Sequence, residues 1–285
     1  MSNVQHPDVR AAVERALAED IGPGDVTTNL TVPEDLAASG RFIAKQDFVL
    51  AGIELLPLIY EAVNGVQVKL LSSSGDRISA QSVLAEVQGS ARTLLSCERV
   101  ALNFMQRLSG VATLANQHAR AIAGTKSRVL DTRKTTPGLR QLEKMAAAAG
   151  GAVNHRRGLY DAVLIKNNHI TAAGGVKAAL EAVRGYNGPI EIEVRSRAEL
   201  VEALDNGAKH LLLDNLSPAD ARSWIEYIAE RATVELSGGI NLSNIRDYAE
   251  AGADYVSAGA ITHSATAVDI SFQLDLPSTS GSASR

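Results

Sequence analysis

Six short apolar runs occur in the second half of the chain, and amphipathic stretches separate most of them. They begin at positions 128, 162, 190, 210, 233 and 254, and the later runs start 20 to 28 residues apart. A strand, a helix and two short loops occupy that length, and strands that are covered on both faces show continuous apolar residues. The pattern therefore predicts parallel β/α units, arranged either as a partial barrel or as a doubly wound sheet.

Two helices between these runs carry start signals. The stretch 139–149 follows a Pro-Gly pair and stops at a Gly pair, which is typical of a helix. Ser217 and Pro218 have the pattern of an N-cap and a first helical residue for the helix that follows them.

The first half of the chain has a different pattern. Residues 1–35 predict a helix followed by a segment rich in Gly, Pro and Thr, and residues 40–52 and 66–90 predict strands with turns. A long helical stretch follows, with a predicted interruption at Ser109 and Gly110, where we place a domain boundary. The tail 277–285 has the composition of a disordered segment.

Composition narrows the classes of partner. A chain of 285 residues with 45% hydrophobic content buries a sizeable core in one large or two smaller domains. The net charge of -4 gives no general reason to bind nucleic acid or a membrane, so small molecules are the expected partners.

Cys97 is the only cysteine, which excludes a disulfide framework. The first twenty residues lack the apolar core of a signal peptide, and no stretch reaches membrane-spanning length, so we expect a cytoplasmic location.

Positive charge is concentrated in one part of this acidic chain. From Arg128 to His169 there are eight Arg and Lys against three Asp and Glu, whereas the remainder has 20 cations against 29 anions. Arginine binds carboxylates and phosphates through two hydrogen bonds at once, and lysine binds them as a point charge. The clustering predicts a basic pocket for an anionic ligand.

Charged side chains and glycine-rich turns, which could bind a substrate, lie where the predicted strands end. In chain order they are Asp131 with Arg133 and Lys134, Lys166, Glu193, Asp214, Ser237–Gly239 and Ser257–Gly259. If the strands are parallel neighbours, one edge collects cations on the first two strands, carboxylates on the middle two and glycine-rich turns on the last two. This layout predicts a site for a multiply anionic substrate and a metal ion. Two alternatives remain: Glu191 and Glu193 would also fit the exposed surface of an edge strand, and the glycines would also fit ordinary turns.

Several motifs resemble those of the quinolinate phosphoribosyltransferase family. They are "EDIGPGDVTT", "SCERVALNFMQRLSGVAT", "DTRKTTPGLRQLEK", "GGAVNHRRGLYDAVLIKNNH", "IEIEV", "LLLDN", "ELSGGI" and "VSAGAITHS", and they extend from about Glu19 to His263. The resemblance implies an α/β fold with an N-terminal α/β sandwich domain (1–110, joined by the segment 266–285) and a C-terminal incomplete α/β barrel (111–265). It also implies a homodimer, or a higher assembly of dimers, in which one subunit completes the site of the other.

The reaction that the resemblance implies joins quinolinate to 5-phosphoribosyl-1-pyrophosphate with the help of Mg²⁺. Its products are nicotinate mononucleotide, CO₂ and pyrophosphate, as part of de novo NAD biosynthesis. The catalytic residues by this resemblance are Lys134, Lys166, Glu193 and Asp214, of which Glu193 and Asp214 would hold the metal, through water. The implied substrate-binding set comprises Arg99 from the partner subunit, Thr132, Arg133, Lys134, His155, Arg156, Lys166, Glu193, Asp214, Ser237, Gly238, Gly239, Ser257, Ala258 and Gly259. The chain departs from the family pattern at Asn167, where the family usually has an acidic residue.

Other functions remain open at this stage. A related phosphoribosyltransferase would act on nicotinate or another small acid, or would be a molybdenum-transport-associated homologue. A barrel lyase would use Lys166 to form a Schiff base. A silent sugar-phosphate binding protein would share the phosphate cradle but has no need of the two carboxylates.

Overall fold

The structure is a computed structural model that describes residues 4–63 and 65–276. The chain divides into two compact units, Met1–Thr113 with Pro137–Gly150 and Ala265–Arg285, and Leu114–Thr136 with Gly151–Ser264. The predicted domain limits keep residues 137–150 with the barrel, whereas in the structure they group with the first unit. The tail 277–285, for which disorder is predicted, lies outside the described residues.

Helices and strands alternate along most of the chain. In order they are α1 (Pro7–Ile21), α2 (Val26–Thr31), β1 (Ala37–Ala44), β2 (Phe48–Val49), α3 (Leu55–Glu61), β3 (Gln67–Leu70), β4 (Arg77–Ile78), β5 (Val83–Ser90), α4 (Ala91–Ala121), β6 (Arg128–Leu130), α5 (Arg140–Ala149), β7 (Val163–Ile165), α6 (Asn167–Ala173), α7 (Val176–Ala182), β8 (Ile190–Val194), α8 (Arg197–Asp205), β9 (His210–Asp214), α9 (Pro218–Ile228), β10 (Thr233–Ser237), α10 (Ile245–Glu250), β11 (Tyr255–Ser257), α11 (Ala260–His263) and β12 (Ile270–Asp275). As predicted, Ser217 caps α9 by accepting a hydrogen bond from the Asp220 N–H.

The first unit contains an antiparallel sheet with the strand order β12-β1-β5-β3. Every second residue of β1 from Ala38 onward is buried, so one face of the sheet packs on the core of the unit. The last described strand, β12, pairs with β1 and brings Phe272 against Phe42, with ring centroids 5.0 Å apart.

The predicted interruption of the long helix at Ser109 and Gly110 is wrong, because α4 is continuous from Ala91 to Ala121. The small residues serve close packing instead. A Cβ atom at Gly110 would overlap the backbone of Thr266, and the Ser109 hydroxyl accepts the Ala51 N–H at 3.0 Å. Neither α4 nor any other helix in the described ranges combines the length and apolar character that a membrane span requires.

The second unit contains a parallel sheet of six strands in the order β6-β11-β10-β9-β8-β7. All six predicted strands are present, and Val153 adds an isolated parallel bridge to Leu130 at the β6 edge. The apolar residues of the central strands, such as Ile192, Leu211 and Val234, are buried on one face. The alternate residues face the other side of the sheet and include the carboxylates of β8 and β10.

Candidate functional site

A cavity of about 370 Å³ lies at the carboxyl ends of the parallel strands in the second unit. It is lined by Thr132, Arg133, Lys134, His155, Arg156, Leu164, Lys166, Glu193, Arg195, Leu212, Asp214, Asn215, Glu235, Ser237, Gly238, Gly239 and Ser257. All the predicted site residues except Arg99, Ala258 and Gly259 are in this set. The strand-end rule thus predicted side chains that line one cavity, since parallel strands present their carboxyl ends at one edge.

The sequence leaves the order of the strands open, and the first two strands are not neighbours in the sheet. β6 and β7 are consecutive in the chain, but they form opposite edges of the sheet, because β6 pairs with β11. Residues that follow both edges, Arg133 and Lys166 among them, nevertheless line the same cavity. The sheet must curve to bring its two edges to one mouth, which is the arrangement of an incomplete barrel.

Two arginines, Arg133 and Arg156, line the cavity and interact electrostatically. Burial lowers the pKa of Arg156, and the positive charge of Arg133 lowers it further. Arg156 donates one hydrogen bond from Nη1 to the Ala162 carbonyl at 3.2 Å, whereas its buried Nε has no hydrogen-bond partner among the described residues. A buried donor without a partner costs free energy, and a ligand carboxylate would supply the missing acceptor.

A network of opposite charges occupies the next part of the cavity wall. The Glu193 side chain is only 4% exposed, and its two oxygens lie 2.7 Å from Arg195 Nη2 and 3.6 Å from Lys166 Nζ. The same Nη2 lies 3.2 Å from Asp214 Oδ2. Arg195 therefore links the two carboxylates that the sequence assigns to a metal.

The two carboxylates have the donor chemistry of a magnesium site, and in this structure Arg195 bridges them. Glu193 Oε1 is buried and accepts no hydrogen bond of good geometry from the described residues, although it contacts Arg195. Carboxylate oxygens are the donors that Mg²⁺ uses, with water filling its remaining positions. Glu193 and Asp214 are therefore the residues of this cavity that would hold the ion.

The glycine-rich turns border the cavity on the β10 side. Gly238 and Gly239 have φ values of +102° and +62°, in the left-handed region that favours glycine. A Cβ atom at Gly238 would also overlap the side chain of Asn215. Beyond the next strand, β11, Gly259 lies beside the Lys134 side chain, where a Cβ atom would come within 2.8 Å of Lys134 Cδ.

Arg99 is not among the residues that line the cavity. It lies on α4 in the part of the helix that belongs to the first unit, and its side chain is exposed. Ala258 is buried just beyond β11, with its N–H bonded to the Leu130 carbonyl at 3.2 Å. Neither residue lines the cavity in this single chain.

Sequence reasoning missed two charged residues of the cavity, Arg195 and Glu235. Glu235 is 4% exposed in the middle of the apolar run "TVELS", and it lies 3.4 Å from His155 Nε2. A carboxylate inside a buried strand costs free energy unless it has a partner. A glutamate within an apolar run is therefore the signal from which Glu235 could have been identified. Arg195 carries no such signal, since an arginine directly after a strand is usually a solvated surface residue.

Known proteins match almost the whole chain. A family profile described as "Quinolinate phosphoribosyl transferase, C-terminal domain" matches residues 111–273, and one described as "Quinolinate phosphoribosyl transferase, N-terminal domain" matches residues 25–109. "Quinolinate phosphoribosyltransferase [decarboxylating] 1" of Nicotiana glauca is 39% identical over 295 residues, which covers 95% of this chain and 84% of that protein. A probable nicotinate-nucleotide pyrophosphorylase [carboxylating] of Bacillus subtilis is 37% identical and covers 96% of both chains.

A solved structure agrees with these sequence matches. The nicotinate-nucleotide pyrophosphorylase from Francisella tularensis superimposes with a TM-score of 0.90 at 36% identity, covering 94% of this chain and 96% of that one. Both halves of the sequence, the fold and the cavity thus lead to the same assignment. The chain belongs to the quinolinate phosphoribosyltransferase family.

Proposed function

We propose that this protein joins quinolinate to 5-phosphoribosyl-1-pyrophosphate and releases pyrophosphate and CO₂, giving nicotinate mononucleotide. The pair formed by Arg133 and Arg156 carries the proposal. Two guanidinium groups in one cavity repel each other, and the charge of Arg133 already lowers the pKa of Arg156. A dianion offsets that repulsion when it binds, and quinolinate has two carboxylates on adjacent ring carbons.

The other cations of the cavity complete this binding site. Lys166 Nζ lies 3.6 Å from Glu193 Oε2, and Lys166 lines the cavity together with the two arginines and the two carboxylates. Arginine forks fix the plane of a carboxylate, whereas a lysine adds charge without fixing direction. Together they would hold the pyridine ring with its nitrogen turned toward the ribose carbon. Because the two reacting atoms are then already oriented, less entropy is lost when the bond forms.

Charge develops on both sides of the breaking bond as pyrophosphate leaves. Lys134 is exposed at the mouth of the cavity and would neutralise the departing pyrophosphate, while Glu193 and Asp214 would stabilise positive charge on the sugar. Mg²⁺, held by these two carboxylates, would supply further charge neutralisation to the pyrophosphate. The turns at Ser237–Gly239 and Ser257–Gly259 would bind the 5-phosphate through backbone N–H groups.

Loss of CO₂ follows from the new bond. Once the ring nitrogen is attached to the ribose, it carries a positive charge. The electron pair of the bond to the departing carboxylate remains on the adjacent ring carbon, where that charge stabilises it, and the carbon then takes up a proton. The step needs no separate decarboxylation cofactor.

The competing functions are less well supported. A substrate with a single acid group, such as nicotinate, offers one carboxylate to a cavity lined by Arg133, Arg156 and Lys166. A Schiff-base lyase activates its lysine by desolvation in an apolar pocket or beside another cation, but Lys166 is 52% exposed and lies 3.6 Å from the Glu193 carboxylate. Borohydride with a carbonyl substrate would trap such an adduct, and none is expected.

The direct test is release of labelled CO₂. We expect quinolinate labelled in the carboxyl group next to the ring nitrogen to release CO₂ only when 5-phosphoribosyl-1-pyrophosphate and Mg²⁺ are both present, because decarboxylation requires the positively charged ring nitrogen. Trapped radioactivity measures the rate. Turnover of nicotinate without release of CO₂ from quinolinate would instead establish the related phosphoribosyltransferase.

We further propose that the protein works as a homodimer, or an assembly of dimers, in which Arg99 enters the cavity of the partner subunit. Arg99 is exposed in this chain, and α2 exposes Val26 and Leu30, which are 71% and 81% accessible. Exposed apolar side chains of this kind favour burial against another surface. The cytoplasmic location stays a prediction.

Mixing two inactive variants tests the shared site. Arg99→Ala and Lys166→Ala are each expected to lose most of their activity as pure proteins. After dissociation and random reassociation, half of the dimers contain both chains and have one intact site, so about a quarter of the wild-type activity should return. If Arg99 served its own chain, every mixed dimer would have two damaged sites and no activity would return.

A further inference from the structure

Arg195 lies between the two carboxylates that would hold the metal ion. Its Nη2 is 2.7 Å from Glu193 Oε1 and 3.2 Å from Asp214 Oδ2, so a single nitrogen contacts both side chains. The carboxylates belong to the neighbouring parallel strands β8 and β9 and are only 4% and 14% exposed. Two negative charges that share a site repel each other, and a cation between them offsets the repulsion. Arg195 thus provides the positive charge that a metal ion would otherwise provide.

The backbone of Arg195 is anchored, whereas its guanidinium is held at one nitrogen. The Arg195 N–H donates to Glu199 Oε2 at 2.7 Å, just before α8 begins. The side chain is 48% exposed, and its charged partners among the described residues contact Nη2 alone. The Arg107 guanidinium is held differently, because Nε and Nη2 donate to Glu143 and Nη1 donates to the Ala265 carbonyl. Arg195 can therefore leave the carboxylates by rotation about its side-chain bonds, with no change in the sheet.

A divalent cation would compete with this guanidinium. Mg²⁺ bound to Glu193 and Asp214 would lie beside a positive charge that already contacts both of them, and like charges repel strongly where water is partly excluded. The guanidinium moves away more easily if another anion accepts it. The phosphate oxygens of a diphosphate are suitable acceptors, since arginine binds phosphate through two parallel hydrogen bonds. Arg195 lines the same cavity as Lys134, for which contact with the pyrophosphate is proposed above, so such an acceptor would be within the cavity.

We propose that Arg195 makes metal binding depend on the diphosphate. In the protein without ligands the guanidinium neutralises Glu193 and Asp214 and weakens their affinity for Mg²⁺. When a diphosphate enters together with the ion, the guanidinium moves to the diphosphate oxygens and leaves both carboxylates to the metal. The proposal deepens the function given above and rests on it, because it uses the metal and the diphosphate of that reaction.

A fixed ion pair is the alternative to a mobile guanidinium, and the two make different predictions for Arg195→Ala. If the guanidinium only repels the metal, its removal strengthens the binding of every species that carries the ion. If the guanidinium moves to the diphosphate, its removal strengthens the binding of the bare ion and weakens the binding of the ion with diphosphate. The sign of the second effect therefore decides between them.

The experiment measures the binding of Mn²⁺ and of preformed Mn²⁺–pyrophosphate by isothermal titration calorimetry, without quinolinate. Arg195→Ala should lower the Kd of Mn²⁺ about 10-fold and raise the Kd of the Mn²⁺–pyrophosphate complex about 10-fold. Arg222→Ala, which removes an exposed arginine of α9, should match the wild type for both. An unchanged or higher Kd of Mn²⁺ in Arg195→Ala would overturn the proposal, and so would tighter binding of both species. If Arg195→Ala does not fold, Arg195→Gln keeps most of the side-chain length without the charge and should show the same opposite shifts.

A double variant assigns the effect to these carboxylates. Adding Glu193→Gln to Arg195→Ala should abolish the gain in Mn²⁺ affinity, because the gain depends on the negative charge of Glu193. The group formed by His155, Glu191 and Glu235 also has the composition of a metal site, and a gain that persists in the double variant would place the ion elsewhere and refute the proposal. The binding results stand even if another acid proves to be the substrate. Opposite shifts together with no release of CO₂ from quinolinate would reject the proposed substrate alone.

Discussion

Replacing Arg133 by alanine is expected to lower kcat/KM for quinolinate by about two to four orders of magnitude, since removing one partner of a desolvated charge pair typically costs about 3–5 kcal/mol. The effect should appear mainly in KM for quinolinate, because both carboxylates are present before and after the ribose bond forms. Steady-state kinetics with each substrate varied in turn measures it.

Two companion variants give this experiment its control. Arg222 is an exposed arginine on α9, and Arg222→Ala should leave both KM values within about twofold of the wild type, as expected for a surface change. Arg156→Ala should resemble Arg133→Ala. The double variant should lose less than the sum of the two single effects, because both arginines bind one dianion and their mutual repulsion has gone. If Arg133→Ala behaves like Arg222→Ala while folding normally, the arginine pair is not the substrate site.

The sequence predicts which residues meet at the cavity better than it predicts the order of the strands. Lys166, Glu193 and Asp214 could be placed together because each follows or ends an apolar run, and parallel strands bring such residues to one edge. The pairing of β6 with β11 could not be read from the same runs, because pairing across that distance depends on how the whole sheet curves. A strand pattern specifies which residues face each side and leaves the order of the strands open.

The predictions that local sequence patterns miss or get wrong share one cause: the residues concerned make contacts with parts of the chain that are distant in the sequence. Ser109 and Gly110 suggest a helix break, but they are required by contacts with Ala51 and Thr266, which are distant in the sequence. Glu235 similarly belongs to a cluster whose other members, His155 and Glu191, lie far away along the chain. Short-range patterns indicate that such residues are unusual, and only the folded chain shows what they contact.

Replacing Glu193 by glutamine should reduce kcat by about two to three orders of magnitude while changing KM for quinolinate much less. The carboxylate is 4% exposed and lies between Arg195 and Lys166, and one of its oxygens remains without a good hydrogen bond. Glutamine keeps the size but removes the charge that would stabilise the sugar cation and hold Mg²⁺, and both roles act mainly as pyrophosphate leaves. Rapid-quench measurement of pyrophosphate release isolates this step.

The dependence on Mg²⁺ distinguishes a metal ligand from a purely electrostatic residue. If Glu193 and Asp214 hold the ion, Glu193→Gln and Asp214→Asn should each need more Mg²⁺ for half-maximal rate, and chelation should abolish activity in the wild type. Glu181→Gln, which removes only an exposed ion pair with Lys177, should leave both the rate and the Mg²⁺ requirement unchanged. If kcat falls strongly but the Mg²⁺ requirement does not change, these two carboxylates do not hold the metal ion. Their negative charge would then act directly on the sugar cation, without an ion between them and the substrate.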